Sequence, residues 1–167
     1  SLIVGDPTLP ETGVGPLIRP REVARVKSWV DAAVDGGAEI VTGGQVLDNN
    51  CYRPTLLTKV QQGMDVVDKE VFGPVVSVFV YDDIDEAVAG ANAGPNGFQA
   101  AVFTKDINTG FHAAKQLDFS AVMLNESTAF RVDWMPFGGR HSSGLGMGGV
   151  KYSIEEMTQP KLIVLNL

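Results

Sequence analysis

A single cysteine, Cys51, stands in the 167 residues, so an intrachain disulfide framework and any multi-cysteine metal site are excluded. Histidine is nearly as scarce: His112 and His141 are the only two, and they show no ligand spacing to each other or to carboxylates, so no metal is expected. Positive charge is in deficit. Lys and Arg total 13 against 20 Asp and Glu, a formal charge of -7 with a pI near 4.7, which leaves no basic stripe for nucleic acid or an anionic membrane surface. Long apolar runs are missing too. The longest, "VVSVFVY" at 75–81, is far short of the roughly 20 residues that a membrane-crossing helix needs. The opening "SLIVGDPTLPETGVGP" has no initiator Met and no basic region ahead of an apolar one, so it reads as an internal start of a longer chain rather than a signal peptide. These features together read as a soluble, cytoplasmic protein.

What is present is a core-sized share of apolar residues, 44% of the chain, without low-complexity segments, internal repeats or an interdomain linker. "RPREVARVKSWVDAAVDGG" sets Val23, Val26, Val30 and Val34 at helical spacing and stops at Gly36-Gly37, predicting a helix over 21–35 whose Arg/Lys-rich polar face is simply solvated. "AEIVTGG" and "YRPTLLTKV" read as two short strands around the turn "QVLDNN". Val75 to Tyr81 is β-branched and nearly continuous, the pattern of a central strand buried on both faces. A helix capped by Asp82 or Asp83 follows, then the strand "FQAAVFT", the helix "DINTGFHAAKQLD" and the strand "SAVMLNE". That alternation predicts an α/β fold with an open, mostly parallel sheet and flanking helices. "VKYSIEEM" predicts a last helix and "KLIVLNL" a terminal strand, so the chain divides into residues 1–158 and a strand at 159–167.

Two local patterns suggest chemistry. "GLGMGG" at 144–149 matches the G-x-G-x-x-G dinucleotide pattern, but "PFGGRHSS" precedes it instead of an apolar strand, and the chain ends before an acidic partner about 20 residues on could appear. The context therefore points away from a pyrophosphate cradle. "KEVFGPVV" at 69–76 holds Glu70 and Phe72 beside a Gly-Pro turn feeding a strand, either at the ligand-bearing rim of a sheet or as a solvated Glu next to a structural turn. Cys51 sits in the polar turn "DNNCYRP" with no His near it and no helix start to lower its pKa, a poor setting for a nucleophile.

"KEVFGPVV", "GFQAAVFTKD", "VMLNE" and "MPFGGRHSSGLGMGGVKYSIEEMTQPKLIV", in that order and over essentially the whole chain, closely resemble the C-terminal part of the NAD(P)-dependent aldehyde dehydrogenase catalytic domain. The resemblance implies oxidation of an aldehyde to a carboxylic acid with NAD or NADP as cofactor. It gives Glu70 the nicotinamide ribose hydroxyls and Phe72 the nicotinamide ring. An ionised carboxylate suits that task, because its two oxygens can accept from both hydroxyls at once. The family's thiohemiacetal-forming cysteine and its general-base glutamate belong to motifs upstream of the stretch matched here, so no catalytic residue is assigned and the chain alone is expected to be inactive. Gly138, Gly139, Gly144, Gly146 and Gly149 become positions where chain passes close to chain.

The resemblance further implies that "ESTAFRVDWM" at 126–135 shapes the aldehyde entrance, with Phe137 close to the reacting centre and Phe130 in the wall. Arg131 lies in that loop. A guanidinium suits a carboxylate, phosphate, phosphonate or sulfonate, so the expected substrate is a small-molecule aldehyde with an anionic far end; a staple to Asp133 is the equal alternative. The last strand is implied to join a neighbouring subunit, making the parent a homo-oligomer, a dimer or tetramer. A non-catalytic interaction module, or an acyl-CoA-forming or acyl-phosphate-reducing enzyme on the same scaffold, are the other functions that this sequence accommodates.

Overall fold

The structure is a computed structural model, describing residues 2–167, and it divides into two compact units, 1–80 and 81–167. In the first, α1 (Pro20–Asp35) begins with Pro at its first turn, where the missing N–H costs nothing and φ is already helical. Val23, Val26, Val30 and Ala33 line its buried face. Gly36 and Gly37 stop it, donating to Ala32 O and Val34 O. Beneath it lies a three-stranded sheet in the order β1 (Glu39–Thr42), β2 (Thr55–Thr58), β3 (Val75–Ser77). β1 pairs antiparallel with β2, and β2 pairs parallel with β3, Thr55 opposite Val75. A single-turn helix, α2 (Asp65–Asp68), closes the unit. Its core unites the α1 valines with Tyr52, Leu57, Val60 and Val66.

In the second unit, α3 (Ile84–Asn92) is capped by Asp83, whose carboxylate accepts from Asp85 N at 2.9 Å. β4 (Asn96–Gly97) and β5 (Gln99–Val102) follow, then α4 (Ile107–Gln116), β6 (Ala121–Leu124), β7 (Arg140–His141) and α5 (Val150–Met157). Asp106 caps α4 through Asn108 N and Thr109 N. β5 and β6 run parallel in full register, Gln99 opposite Ala121 to Val102 opposite Leu124, with α4 as the crossover between them. β4 and β7 form a separate antiparallel pair. Asn92 ties the end of α3 to the end of α4, donating to Gln116 O at 2.8 Å and accepting from Asp118 N at 2.9 Å.

The class is therefore α/β with flanking helices, but the pairing is mixed and spread over three small sheets. Val75–Tyr81 departs furthest from expectation. Only Val75–Ser77 is strand, it sits at a sheet edge, and Val76 and Val80 are 58% and 92% exposed. A β-branched run is buried on both faces only when layers cover both faces and strands pair with both edges, and β3 has one neighbouring strand, β2. "KLIVLNL" likewise forms no strand: residues 158–167 have no ladder partner among the described residues, and Leu162 to Leu165 are exposed. Strand propensity alone leaves its backbone N–H and C=O groups unpaired. No helix among the described residues is long and apolar enough to cross a membrane.

Candidate functional site

In the first unit the candidate residues stand on the turn between α2 and β3. Lys69 ends α2 and pairs back to Asp65 at 2.8 Å. Glu70, next in line, is exposed and joins no ion pair among the described residues. Phe72 is 75% exposed and has φ of 45°, which for an aromatic residue is uncommon and unfavourable. Beyond it the chain returns to the sheet: Thr55 N donates to Pro74 O at 2.8 Å and the β2–β3 ladder begins.

Glu70 and Phe72 border a groove of about 760 Å³ whose other walls include Leu17, Glu22, Arg25 and Trp29. Two acceptor oxygens and an exposed aromatic ring at the same rim fit a vicinal diol attached to a flat ring, the chemistry of the nicotinamide riboside end of NAD(P). The polar face of α1 is not merely solvated here. Glu22 and Arg25 are about three-quarters buried, and Arg25 Nε donates to Glu22 Oε2 at 2.8 Å. The Glu22 carboxyl is held below its usual range by Arg25 first and Arg21 second. Trp29 is the signal that sequence reading passed over: it falls on the same helical stripe as Glu22 and Arg25, so that stripe packs against something.

In the second unit Phe137 is the best-held candidate. It exchanges both backbone hydrogen bonds with Gly148, and its ring meets Phe98 edge to face at 5.0 Å and 85°. The Arg131 guanidinium lies over the same ring, 4.2 Å from the Phe137 centroid. No carboxylate is within ion-pair distance of Arg131 among the described residues, so the staple to Asp133 does not form. Phe130 is exposed on the turn closed by Phe130 N to Ser127 O.

The glycine-rich run is folded on itself. A Cβ on Gly138 would lie 2.6 Å from Gly146 O, and one on Gly139 would lie 2.5 Å from the Ser143 carbonyl carbon. Gly138 and Gly139 are thus close crossings of chain on chain, and so is Gly149, where a Cβ would lie 2.9 Å from Met135 O. A Cβ on Gly144 or Gly146 would have no neighbour nearer than 3.6 Å, and it is the positive φ of Gly146, 75°, that calls for glycine there. Asp118 clamps the arm from below, its two oxygens 2.5 Å from Arg140 Nη1 and 2.8 Å from His141 Nε2. Those partners, Arg140 first, hold the Asp118 carboxyl below its ordinary range. Ser120 Oγ stands between Gly138 O and Phe98 O, 2.6 Å from the latter, and its single proton is shared between these two carbonyls, tying the arm to the segment between β4 and β5.

Cys51 is buried with its thiol 3.8 Å from Asn49 O, and His112 is exposed against Asp85 at 2.6 Å. Among the described residues no group of three or more His, Cys, Asp or Glu is arranged to hold a metal ion.

A family model described as the aldehyde dehydrogenase family matches residues 1–163. The 3-sulfolactaldehyde dehydrogenase of Priestia aryabhattai is 45% identical over 166 residues, covering 99% of this chain and 35% of that protein. An aldehyde dehydrogenase from Physcomitrella patens, solved with its reaction product succinate, superposes with a TM-score of 0.89 at 36% identity, covering 93% of this chain and 32% of that one. A glyceraldehyde-3-phosphate dehydrogenase from Methanocaldococcus jannaschii, complexed with NADP, superposes at 0.87 with 39% identity, covering 93% and 34%. The chain thus spans about a third of the length of the curated relatives it matches.

Proposed function

The chain belongs to the aldehyde dehydrogenase family, and from that premise we propose that it forms part of an enzyme oxidising an aldehyde with an anionic far end to a carboxylic acid, using NAD+ or NADP+. Family membership carries the reaction class. When bound, the dinucleotide supplies the hydride acceptor. This chain's part is to hold and orient. Glu70 accepts from the ribose hydroxyls through its two carboxylate oxygens, and Phe72 keeps water from the face of the nicotinamide. Both fit because they are exposed side by side on one groove rim.

The substrate class rests on Arg131. A guanidinium stacked on an aromatic face keeps its N–H edge turned outward, and this one carries no competing carboxylate among the described residues. Three of the relatives are named for such chemistry, a sulfonated aldehyde for the Priestia enzyme, succinate in the Physcomitrella complex and a phosphorylated aldehyde for the Methanocaldococcus enzyme, while others are named for lactaldehyde or betaine aldehyde. Phe137, fixed by Gly148 and Phe98, is the platform that keeps Arg131 in place. The proposal extends to a cytoplasmic homo-oligomer in which residues 159–167 pair with a neighbouring subunit.

The deciding experiment follows NAD(P)H formation by the dehydrogenase containing this chain, with sulfonated, carboxylated and phosphorylated aldehydes against neutral ones of equal size. Arg131→Ala should lower kcat/KM for the anionic substrates by about ten- to a hundredfold, as loss of one charge-assisted hydrogen bond of about 1.5–3 kcal/mol requires, and leave neutral ones nearly unchanged. Equal losses for both classes would assign Arg131 to loop structure and remove the ground for an anionic substrate.

A further inference from the structure

We propose that Arg25 is the positioning residue of the Glu70–Phe72 turn, setting from α1 the peptide plane on which those two side chains are mounted. The inference rests on the reading of Glu70 and Phe72 as cofactor contacts. Its own ground is geometric. Arg25 Nη2 donates to Val71 O at 2.6 Å, a bond that reaches across 46 positions of sequence. That carbonyl belongs to the peptide joining Val71 to Phe72, so its direction fixes the plane about which φ of Phe72 is measured, and that φ is 45°. A non-glycine residue stays in the left-handed region only where its surroundings over-determine it.

Arg25 is built to supply that constraint. Glu22 takes its Nε at 2.8 Å, and its Cζ lies 4.4 Å from the centroid of the Trp29 ring. Bonded on one edge and stacked on one face, the guanidinium has little freedom left, and it presents Nη2 to Val71 O in a fixed direction. Nη1 is buried with no hydrogen-bond partner among the described residues, while Nε and Nη2 are committed to Glu22 and Val71. Lysine could not substitute. An ammonium is a point donor without a flat face, so it could reach Val71 O or Glu22 but would not be oriented by Trp29.

The test has two arms. Backbone chemical shifts of residues 70–74 are recorded on the labelled 167-residue chain without cofactor, for wild type, Arg25→Gln, Arg25→Lys and Glu22→Gln, with the signals of Val30 and Leu57 reporting that the core persists. Phe72 Cα and Cβ shifts should lose their left-handed signature in Arg25→Gln and Arg25→Lys and weaken in Glu22→Gln. In the dehydrogenase containing the chain, Arg25→Gln and Arg25→Lys should raise KM for NAD(P)+ by about tenfold, with KM for the aldehyde unchanged, and Glu70→Gln should do the same. Unmoved Phe72 shifts in a folded Arg25→Gln chain overturn the inference, and if KM for NAD(P)+ rises all the same, Arg25 touches the cofactor directly. Should the shifts move while neither Arg25→Gln nor Glu70→Gln alters that KM, the positioning role stands and the cofactor reading falls. If Arg25→Gln does not fold, Arg25→Lys and Glu22→Gln decide in its place.

Discussion

Tyr52 shows what a single residue contributes to this fold. Its ring is fully buried among the α1 valines, and burial pushes its hydroxyl pKa up, the charge of Asp31 adding to the effect. The direction sets a pH dependence. In the unfolded chain the hydroxyl ionises near its ordinary value of 10.0, whereas the folded chain holds the proton to higher pH. The folded state then binds more protons, and stability falls as pH rises above that value. Denaturant midpoints should drop from pH 9 to pH 11 in the wild type and drop less in Tyr52→Phe. Parallel slopes for the two chains would remove Tyr52 as the alkaline-sensitive group. Arg131 belongs to the same scale: the expected selective loss in Arg131→Ala depends on one guanidinium resting on one ring.

Among the elements, β7 is the one whose place depends most on charge. It makes only two ladder pairings with β4, and Asp118 supplements them through Arg140 and His141. Because those partners lower the Asp118 pKa, their contribution is present above the usual carboxylate range and is lost as pH falls through the lowered value. Asp118→Asn should therefore raise hydrogen exchange across 137–148 at neutral pH while leaving β5 and β6 protected. In the wild type the same loosening should appear only in acid, below the ordinary carboxylate value of 3.8. An arm equally protected in Asp118→Asn would place its hold in the Ser120 and Gly148 bonds instead. The longer helices were legible in advance because their signals are local: the valine spacing and the Gly36-Gly37 stop of α1, and the aspartate cap of α3; the single turn α2 carries no such signal and was not foreseen. The surroundings of β3 were not, since burial of a strand is decided by neighbours elsewhere in the chain. Arg25 escaped for the same reason: in sequence it looked like one more solvated cation, and its partner Val71 lies far along the chain.

For the whole chain, the placement of Glu70 and Phe72 on a groove of about 760 Å³ sets an upper limit on what it does by itself. On the proposed reading those two side chains address one end of a dinucleotide, and Cys51 is buried in a turn without a base beside it. The purified 167-residue chain is expected to form no NAD(P)H from any aldehyde and to bind NAD+ far more weakly than micromolar, measurable by calorimetry. Steady turnover, or a micromolar titration, would refute this. Apolar surface is left open along Val76–Tyr81 and Leu162–Leu167, enough for sedimentation to register self-association that Leu162→Lys and Val164→Lys should weaken. A monodisperse monomer with 161–167 rigid would count against strand exchange. The motif order led to the right family over 1–163, yet it carried no information on how Arg131 is seated, because Phe137 and Arg131 meet through a loop whose course local spacing does not determine.

The self-contact of the glycine-rich arm divides this region into parts that tolerate change and parts that do not. Gly138 and Gly139 have backbone where a side chain would begin, so any replacement displaces the arm and, through the Phe137–Gly148 exchange, the platform under Arg131. Exposed Ser127, Phe130, Arg131 and Trp134 have no such neighbour pressing on them from the arm. On the proposed reading, 127–134 borders the aldehyde entrance, so substitutions there alter the entrance and spare the arm, whereas Gly138 and Gly139 are closed to any side chain by the backbone of Gly146 and Ser143.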